Sequence, residues 1–333
     1  MSRLRQSIRK VLVIRFSSMG DVVLTSPVVR SLKQACPEIE IHFLTKAPYV
    51  PLVAHSPYIE KVHILPQDFA QLRAELKAES FDYVIDLHHN LRSFRVKQAL
   101  RKPYTSFDKQ NLRKWWMVRA KKLEPPVAHI VERYGRCLKP LGLELDGGGL
   151  DLFLPDELDG FGENCLAEHA LQQPLAVVLG ATHKTKRWLP TYFIECLNRL
   201  GRDVILLGGK DLLADAAHVS DNLTIQHLNG VGAYSMLESA AILKACSQVL
   251  THDTGLMHIA AAFRIPAVVL WGNTLPEIGM YPWQSPHENL EAKDVSCRPC
   301  SKIGHDACPQ GHFRCMKELK PDVVVKALRH QTP

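Results

Sequence analysis

The chain has 333 residues, which is more than one hydrophobic core usually holds and favours two domains. Hydrophobic residues make up 46% of it, which excludes an intrinsically disordered protein, and nine cysteines in this length do not make a disulfide scaffold. The net charge of +7 is uneven: residues 91–122 hold eleven Lys or Arg and one acid, a balance of +10, so the rest sums to −3 and this segment alone attracts anions.

Neither a targeting segment nor a membrane span is predicted. The apolar run 11–14, after the basic first ten residues, stops at Arg15 and is too short for a signal peptide. No run approaches the ~20 apolar residues needed to cross a bilayer. The chain is therefore expected to be cytoplasmic.

The first part of the chain alternates between apolar strands and helices. In chain order its predicted elements are strand 11–16, turn 17–21, helix 22–36, strand 39–44, strand 62–65, helix 69–78, strand 83–87, the basic segment 91–122 and helix 129–141. Gly, Asp and Pro are then frequent over 146–159, as is typical of a domain linker.

The alternation restarts after this linker. The second series comprises strand 175–179, polar loop 181–188, helix 190–200, strand 204–207, helix 212–219, strand 223–227, helix 236–246, a strand ending at 252, helix 256–263 and strand 267–271. Two successive series of this kind predict an α/β protein with two Rossmann-like doubly wound domains facing a central cleft. We place the domains at 1–155 and 156–333.

Two turns that directly follow strands carry candidate site residues. One is 17–21, and the other is 253–255, after the strand that ends at His252. Ligands of doubly wound sheets lie beyond the carboxyl ends of the strands, so both turns should face the cleft. The amide groups at a helix N-terminus suit a phosphate. Asp21 is interpreted either as a helix N-cap or as a carboxylate that accepts a proton from a nucleophilic hydroxyl.

Several common motifs are missing from the sequence. There is no G-x-G-x-x-G after the first strand, no G-x-x-x-x-G-K-[ST] and no G-x-S-x-G. There is also no D-x-D, the paired-carboxylate metal site of many sugar-nucleotide enzymes. A bound diphosphate would therefore be neutralised by a helix end and by cationic side chains, with Lys184, Lys186 and Arg187 as candidates.

Five stretches occur in an order known from one family. They are Ser17-Ser-Met-Gly-Asp21, Asp86-Leu-His-His-Asn-Leu-Arg-Ser93, Lys186-Arg-Trp188, Gly208-Gly-Lys-Asp211 and Asp253-Thr-Gly-Leu-Met-His258. Together they make the chain resemble glycosyltransferase family 9, the bacterial heptosyltransferases that build the inner core of lipopolysaccharide. The resemblance runs from residue 11 to about 282. It implies the two-domain GT-B fold and an inverting, metal-independent transfer from an ADP-activated heptose.

The resemblance also implies roles for individual residues. Asp21 would be the general base. The donor would be held by Ser18, Gly20, Thr182, Lys186, Gly208, Gly209, Asp253, Thr254, Gly255 and His258. The acidic, lipid-linked saccharide acceptor would meet the basic segment at Asn90, Arg92 and Arg95, since Arg forms bidentate pairs with carboxylates and phosphates. Catalysis would need no cofactor. The protein would make peripheral contact with the inner face of the cytoplasmic membrane, and nucleic acid would not be a partner.

Three features depart from the family pattern. His183 stands where relatives often carry a small hydroxyl residue. The stretch 149–151 and the cysteine-rich tail are not common to all members. The exact donor sugar and the acceptor therefore stay open.

Four of the nine cysteines are clustered near the end of the chain: Cys297, Cys300, Cys308 and Cys315, with His305 and His312 between them. The C-x2-C pair suits a metal, and the second pair would complete a tetrahedral zinc site, although six residues separate it rather than the usual two to four. Free thiols and a redox-sensitive disulfide are the alternatives. Without a metal or a cross-link, a loop with so few apolar residues is expected to be mobile.

Two other functions stay compatible with the sequence. The basic segment, with Trp115 and Trp116, suggests a non-catalytic anion- or nucleic-acid-binding protein, but nucleic acid requires a continuous basic track. Another GT-B enzyme, such as a sugar-nucleotide epimerase, would need a second acid–base pair, and we identify none.

Overall fold

The protein divides into two compact units in a computed structural model that describes residues 8–121 and 124–330. Met1–Lys109 and Ala128–Phe153 form the N-terminal unit, and Gln110–Val127 and Leu154–Pro333 form the C-terminal unit. The boundary after Phe153 lies close to the one placed at 155 from the sequence. The assignment of 110–127 to the C-terminal unit was not predicted.

Five parallel strands, in the order β3-β2-β1-β4-β5, form the sheet of the N-terminal unit. They are β1 Lys10–Ile14, β2 Glu40–Thr45, β3 Lys61–Ile64, β4 Tyr83–Asp86 and β5 Tyr104–Ser106. The α-helices of this unit are α1 Met19–Val23, α2 Ser26–Ala35, α3 Phe69–Ala78, α4 Leu91–Leu100 and α6 Ile130–Gly135. Between α4 and α6 in the chain lies α5 Asn111–Ala120, which belongs to the C-terminal unit. The central strands β1 and β4 are almost wholly buried, because helices cover both faces of a parallel sheet.

Two predictions of local structure are corrected. The helix predicted over 22–36 is split into α1 and α2, because Pro27 lies in the first turn of α2, where its missing N–H costs nothing. The helix predicted over 129–141 is α-helical up to Gly135 and continues as the 3₁₀ turn Arg136–Leu141.

The segment 146–159 is not an open linker along its whole length. Arg30 of α2, 7% exposed, pairs with Asp146 and Asp151. Its Nη2 atom also donates to the carbonyl oxygen of Gly149 at 2.9 Å. One buried guanidinium therefore ties the first part of the segment to the N-terminal unit.

Six parallel strands, in the order β11-β10-β9-β6-β7-β8, form the sheet of the C-terminal unit. They are β6 Leu175–Val178, β7 Val204–Leu207, β8 His227–Asn229, β9 Gln248–His252, β10 Ala267–Trp271 and β11 His287–Glu291. The remaining helices are α7 Phe161–Glu168, α8 Pro190–Leu200, α9 Leu213–Asp221, α10 Met236–Ala245, α11 Gly255–Ala262, α12 Arg314–Lys317 and α13 Pro321–His330. The sequence did not indicate β11, α12 or α13, although Val324 and Leu328 of α13 are fully buried in the core of this unit.

Each sheet reverses its strand order next to a candidate turn. The strand β1 lies between β2 and β4, and β6 lies between β7 and β9. The residues that follow these strands therefore lie at the edge where doubly wound sheets bind their ligands. Within the two described ranges, no helix is long and apolar enough to span a bilayer.

Candidate functional site

Asp21 lies in the first turn of α1, which follows β1. Its Oδ2 atom accepts from the N–H of Ser18 at 3.2 Å and from the Ser18 hydroxyl at 2.8 Å, and it lies 2.7 Å from Nη2 of Arg15. The N-cap residue is Ser18, so Asp21 is its capping-box partner and not the cap itself. The Asp21 side chain is 20% exposed, which leaves it accessible to a substrate hydroxyl.

Arg15 holds this turn, and sequence reasoning did not assign it a role. It is 8% exposed, and its guanidinium donates to the carbonyl oxygens of Ser17 at 2.7 Å and Leu87 at 2.6 Å. It thereby joins the loops that follow β1 and β4. The sequence feature that could have identified Arg15 is its position as a charged residue at the end of an apolar strand, because a buried cation requires partners.

His88, in the loop after β4, is a second residue that sequence reasoning missed. Burial, together with Arg15 and Lys109, lowers the pKa of His88 to about 4. Its ring lies 4.8 Å from that of Phe16 between centroids. At neutral pH the imidazole is therefore uncharged, and it adds no positive charge to the surroundings of Asp21.

The 86–93 motif is organised around the buried carboxylate of Asp86. It pairs with Lys97 at 2.8 Å and accepts from the Ser93 hydroxyl at 2.8 Å and from the N–H groups of His88 and His89 at 3.0 and 2.7 Å. Burial opposes the charge, but Lys97 and these donors hold the pKa of Asp86 below its ordinary value. The motif thus fixes the loop between β4 and α4.

The three residues predicted to bind the acceptor lie at the start of α4. Asn90 caps this helix, since its Oδ1 accepts from the N–H of Ser93 at 2.9 Å. The guanidinium of Arg95 lies 4.5 Å from the ring centre of Phe69, and Arg92 is exposed. Arg92 and Arg95 therefore present exposed side chains, whereas Asn90 is engaged in the cap.

Asp253, after β9, is the centre of a second cluster. Its Oδ2 atom lies 2.7 Å from Nζ of Lys186 and accepts from the Thr274 hydroxyl at 3.0 Å. Lys186 belongs to the 3₁₀ turn Lys184–Lys186 after β6, and Thr274 follows β10. Loops after three adjacent strands thus converge on one carboxylate. The sequence indicated Asp253 and Lys186 but not Thr274.

Helix α11 begins beside this ion pair. Thr254 is its N-cap residue, Gly255 is its first residue, and the Thr254 side chain makes no capping hydrogen bond. The first N–H groups of α11 can therefore meet an anion. His258 is 2% exposed one turn later, so it supports the start of the helix from inside.

His252 links the end of β9 to the loop after β6. Its Nε2 accepts from the N–H of Trp188 at 2.9 Å. Burial, assisted by Arg187, lowers the pKa of His252 to about 3, so the ring is neutral and serves as an acceptor.

Close packing explains why the two residues after β7, Gly208 and Gly209, are glycines. A Cβ at Gly208 would lie 2.7 Å from the side chain of Leu212, and one at Gly209 would lie 2.8 Å from Oδ1 of Asp211. Asp211 pairs with Arg187 at 2.6 Å, which joins the loops after β7 and β6.

Ser18, Gly20 and Thr182 complete the set of residues predicted to bind the donor. The first two lie in the turn that carries Asp21, in the N-terminal unit, and Thr182 is exposed in the loop after β6. Their contact with a donor stays a prediction.

The cysteine-rich loop is anchored by an arginine. Arg298, 7% exposed, donates to the carbonyl oxygens of four residues, Trp271, Gly272, Thr274 and Ala292. The N–H and carbonyl groups of His305 also bond to Thr185 in the turn that carries Lys186. These anchors, which the sequence did not indicate, dock the loop against the Asp253 cluster.

The predicted zinc site is not assembled, and no disulfide joins any of the nine cysteines. Within residues 8–121 and 124–330, one group of His, Cys, Asp or Glu has three ligand atoms within 4.8 Å of one another, and none of the four clustered cysteines belongs to it. Cys300 instead donates from its thiol to the carbonyl oxygen of Cys297 at 3.2 Å, and burial raises the pKa of Cys300 to about 12.

The basic segment 91–122 is divided between the two units. Its helix α4 and strand β5 lie in the N-terminal unit, and its part from Gln110 onward lies in the C-terminal unit. Lys97 is buried against Asp86, and Lys121 donates to two carbonyl oxygens of the cysteine loop at 2.9 and 2.7 Å. Lys97 and Lys121 are therefore engaged with other groups of the protein.

Known proteins share both the sequence pattern and the fold. The family described as glycosyltransferase family 9 (heptosyltransferase) matches residues 69–309. Lipopolysaccharide heptosyltransferase 1 of Pseudomonas aeruginosa is 27% identical over 341 residues, which cover 93% of this chain and 91% of that protein. A family 9 glycosyl transferase from Veillonella parvula superposes with a TM-score of 0.80 at 21% identity, over 97% of this chain and 96% of its own. The E. coli ADP-heptose lipopolysaccharide heptosyltransferase II superposes with a TM-score of 0.72 at 20% identity, over 96% and 98%.

Proposed function

Because the chain belongs to glycosyltransferase family 9 and is therefore an enzyme, we propose that it transfers a heptose from ADP-heptose to the inner core of lipopolysaccharide or a related cell-surface glycan. The reaction would be inverting and would need no metal ion or other cofactor. The observation that carries the proposal is the Lys186–Asp253 ion pair, 2.7 Å long, beside the start of α11.

The donor has two chemically different parts, and the C-terminal unit offers partners for both. The diphosphate would bind Lys186 and the backbone N–H groups at Thr254 and Gly255, where the helix dipole favours an anion. An ionised carboxylate is a pure acceptor, so Asp253 would bind hydroxyl groups of the sugar. Lys186 would exchange Asp253 for the diphosphate when the donor binds.

Asp21 would act as the general base. It would take the proton of the attacking hydroxyl as that oxygen bonds to the anomeric carbon, while ADP leaves from the opposite face with the electrons of the broken C–O bond. A single displacement of this kind inverts the configuration. The Arg15 guanidinium, 2.7 Å from the carboxylate, would hold Asp21 in place for this step.

The similar proteins support the choice of substrates. The P. aeruginosa relative is a lipopolysaccharide heptosyltransferase, and the E. coli structure is that of an ADP-heptose enzyme of the same kind. The test therefore varies the nucleotide and the sugar independently.

We would offer the purified protein ADP-heptose, ADP-glucose, UDP-glucose and GDP-mannose and measure thermal stabilisation. A ligand at 100 times its Kd adds ~2.7 kcal/mol to the free energy of unfolding, so the true donor should stand out. Transfer to a heptose-deficient lipopolysaccharide should then proceed with EDTA present. Selective stabilisation by a non-ADP sugar would reject the donor, and activity that depends on added magnesium would reject the metal-free reaction.

Arg92 would bind acidic groups of the acceptor. Arg92→Glu should raise the acceptor KM and leave the donor KM unchanged, because the side chain is exposed at the start of α4. Lys102→Glu, an exposed charge reversal just beyond the other end of α4, is the matched control. Equal effects of the two changes would remove Arg92 from the site.

Contact with the inner face of the cytoplasmic membrane would be made by α5. Leu112, Trp115 and Trp116 of this helix are 71%, 53% and 47% exposed. Its charged residues are all basic: Arg113, Lys114 and Arg119. Trp side chains favour the lipid–water interface, and basic side chains favour anionic headgroups.

The Trp115→Ala/Trp116→Ala double variant should lose binding to vesicles that contain phosphatidylglycerol and keep transfer to a water-soluble acceptor. The control is Leu213→Ala, which removes an equally exposed apolar side chain from α9. Unchanged vesicle binding by the double variant would reject this role of α5.

We also propose that the four clustered cysteines bind zinc, but only after a rearrangement of their loop. Because their sulfur atoms are not gathered, the loop anchored by Arg298 would have to close around the ion. Elemental analysis and a thiol count on denatured protein test this. Nine titratable thiols, together with no thiolate-to-cobalt charge-transfer absorption when cobalt is added, would reject it.

A further inference from the structure

Two buried histidines lie on one face of the N-terminal sheet, at neighbouring strands. His42 is in β2 and His63 is in β3, where His63 lies opposite Leu44, two residues beyond His42. Each side chain is about 1% exposed, and the ring of Phe81 lies edge-on to both, 5.2 and 6.0 Å away between centroids. The proposed reaction uses neither histidine.

The outer nitrogen of each ring faces a carboxylate. Nε2 of His42 lies 2.6 Å from Oε1 of Glu40, and Nδ1 of His63 bonds to Oε1 of Glu75, which comes from α3. Ionised carboxylates only accept hydrogen bonds, so both outer nitrogens carry the ring proton. A neutral imidazole has only that one N–H.

The inner nitrogens therefore face each other as two lone pairs. Nδ1 of His42 and Nε2 of His63 are 2.9 Å apart. Two acceptors at this distance repel each other unless a cation lies between them, and that cation is either a third proton or a metal ion.

A third ligand atom favours the metal ion. Oε2 of Glu79, directly after α3, lies 3.8 Å from Nδ1 of His42, and one ligand atom from each of His42, His63 and Glu79 falls within 4.8 Å of the others. We propose that these residues form a binding site for a divalent metal ion of the zinc type, with structural rather than catalytic consequence.

The distances and the outer partners suit such an ion. Zinc–nitrogen bonds of about 2.0–2.1 Å at a tetrahedral angle put the two nitrogens about 3.3 Å apart, so the rings would open slightly and Glu79 would approach. Metal-bound histidines usually donate their other N–H to a carboxylate, which is the role that Glu40 and Glu75 play here.

The surrounding charge also suits a cation. Three carboxylates face the pair, and two ammonium groups oppose them: Lys10 lies 2.9 Å from Glu40 and 3.1 Å from Glu79, and Lys61 lies 2.5 Å from Glu79. The local balance is −1 before an ion binds. Glu40 and Glu75 are 41% and 42% exposed, which gives an ion access from solvent.

The test uses the full-length protein, stripped with EDTA and titrated with zinc and then cobalt. We expect one ion to bind with the cobalt spectrum of nitrogen and oxygen ligands. An ion with thiolate-to-cobalt charge-transfer absorption would belong to the cysteine loop and would be counted separately. Thermal stability should rise with zinc.

Variants decide whether these residues hold the ion. His63→Gln should lose this ion, and Glu79→Gln should bind it about tenfold more weakly or worse, while His218→Gln on the exposed face of α9 should match the wild type. Because His63→Gln could unfold the sheet, circular dichroism and the milder Glu79→Gln change accompany it. Sulfur-only cobalt spectra, or equal binding by wild type and Glu79→Gln, would overturn the proposal. Donor binding by the stripped protein should be unchanged, so this result is independent of the proposed function.

Discussion

Each of the two carboxylates assigned to the reaction is held by one cation and one hydroxyl. Asp21 meets Arg15 at 2.7 Å and the hydroxyl of Ser18 at 2.8 Å. Asp253 meets Lys186 at 2.7 Å and the hydroxyl of Thr274 at 3.0 Å. The cations differ, because the Arg15 guanidinium also binds two carbonyl groups, whereas the lysine carries a point charge on a flexible stem. Asp21 is therefore held in place, and in the proposed reaction Lys186 would leave Asp253 for the diphosphate.

Asp21→Asn should lower the transfer rate by ~10²–10⁴-fold, the usual loss when a general base is removed. Donor binding should persist, because an amide preserves the size of the side chain and its contact with Ser18. Asp68→Asn is the control, since Asp68 is an exposed N-cap of α3 that Asn can replace. Near-normal turnover in single-turnover kinetics would exclude Asp21 as the base.

Lys186→Ala should weaken ADP binding and raise the donor KM by about tenfold or more, since a charge-assisted contact is worth ~1.5–3 kcal/mol. Lys184→Ala, an exposed lysine in the same turn, should change little. The measurement is calorimetric titration with ADP beside steady-state kinetics. Equal losses in the two variants would indicate a general charge effect instead of a specific contact.

At the scale of elements, the cysteine loop supports the loops that form the Asp253 cluster. The guanidinium of Arg298 donates to the carbonyl oxygens of Trp271 and Gly272 at the end of β10. The carbonyl oxygen of His305 accepts from the N–H and the hydroxyl of Thr185. The loop therefore positions the turn that carries Lys186, although the proposed reaction uses no cysteine.

Arg298→Met should release this loop, because a thioether cannot donate to the carbonyl groups left behind. Proteolytic cleavage within 297–315 should become faster, and the donor KM should rise as the Lys186 turn loosens, with the chemical step changed less. Lys302→Met, an exposed position in the same loop, is the control. A donor KM equal to that of the wild type would separate the loop from donor binding.

Helices and strands were predictable from the sequence where residues of the element itself determine its structure. They were less predictable where pairing with a distant segment determines it. The helix over 69–78 has the same bounds as α3, because a polar cap and an apolar stripe define it. The edge strand β11, with sequence HENLE, was missed because pairing with β10 and not apolar character makes it a strand. Likewise Asp21, Lys186 and Asp253 stood out as residues in turns after strands. Arg15, Thr274 and Arg298 did not, because their roles depend on contacts between segments distant in the sequence.

For the whole molecule, two neutral buried histidines predict loss of stability in mild acid. The folded-state pKa values of His88 and His252 are lowered to about 4 and about 3, mainly by burial, whereas a histidine in the unfolded chain titrates near 6.5. The unfolded chain therefore binds more protons once the pH falls below about 6.5. The stability present above that value should be lost progressively, down to about pH 4 for His88 and about pH 3 for His252, with a slope of up to ~1.4 kcal/mol per pH unit for each histidine.

Urea unfolding at a series of pH values measures this slope. His252→Gln, whose amide oxygen can still accept from Trp188, should reduce the slope by the contribution of one proton. His218→Gln, exposed on α9, should leave it unchanged. A wild-type stability that is flat between pH 6.5 and 4.5 would contradict the prediction.

The assignment of 110–127 to the C-terminal unit affects the order in which the chain can fold during synthesis. Met117 of α5 is fully buried against Val127 and Ile278. At ~5–20 residues per second, Ile278 leaves the ribosome roughly 8–30 s after Met117. By then all the strands of the first sheet have been synthesised. Helix α5, with Trp115 and Trp116, still lacks its packing partner and interrupts the chain of the N-terminal unit. A nascent chain stalled before Ile278 should therefore be a chaperone client, and a separately expressed N-terminal unit should be more soluble with 110–127 replaced by a short polar connection.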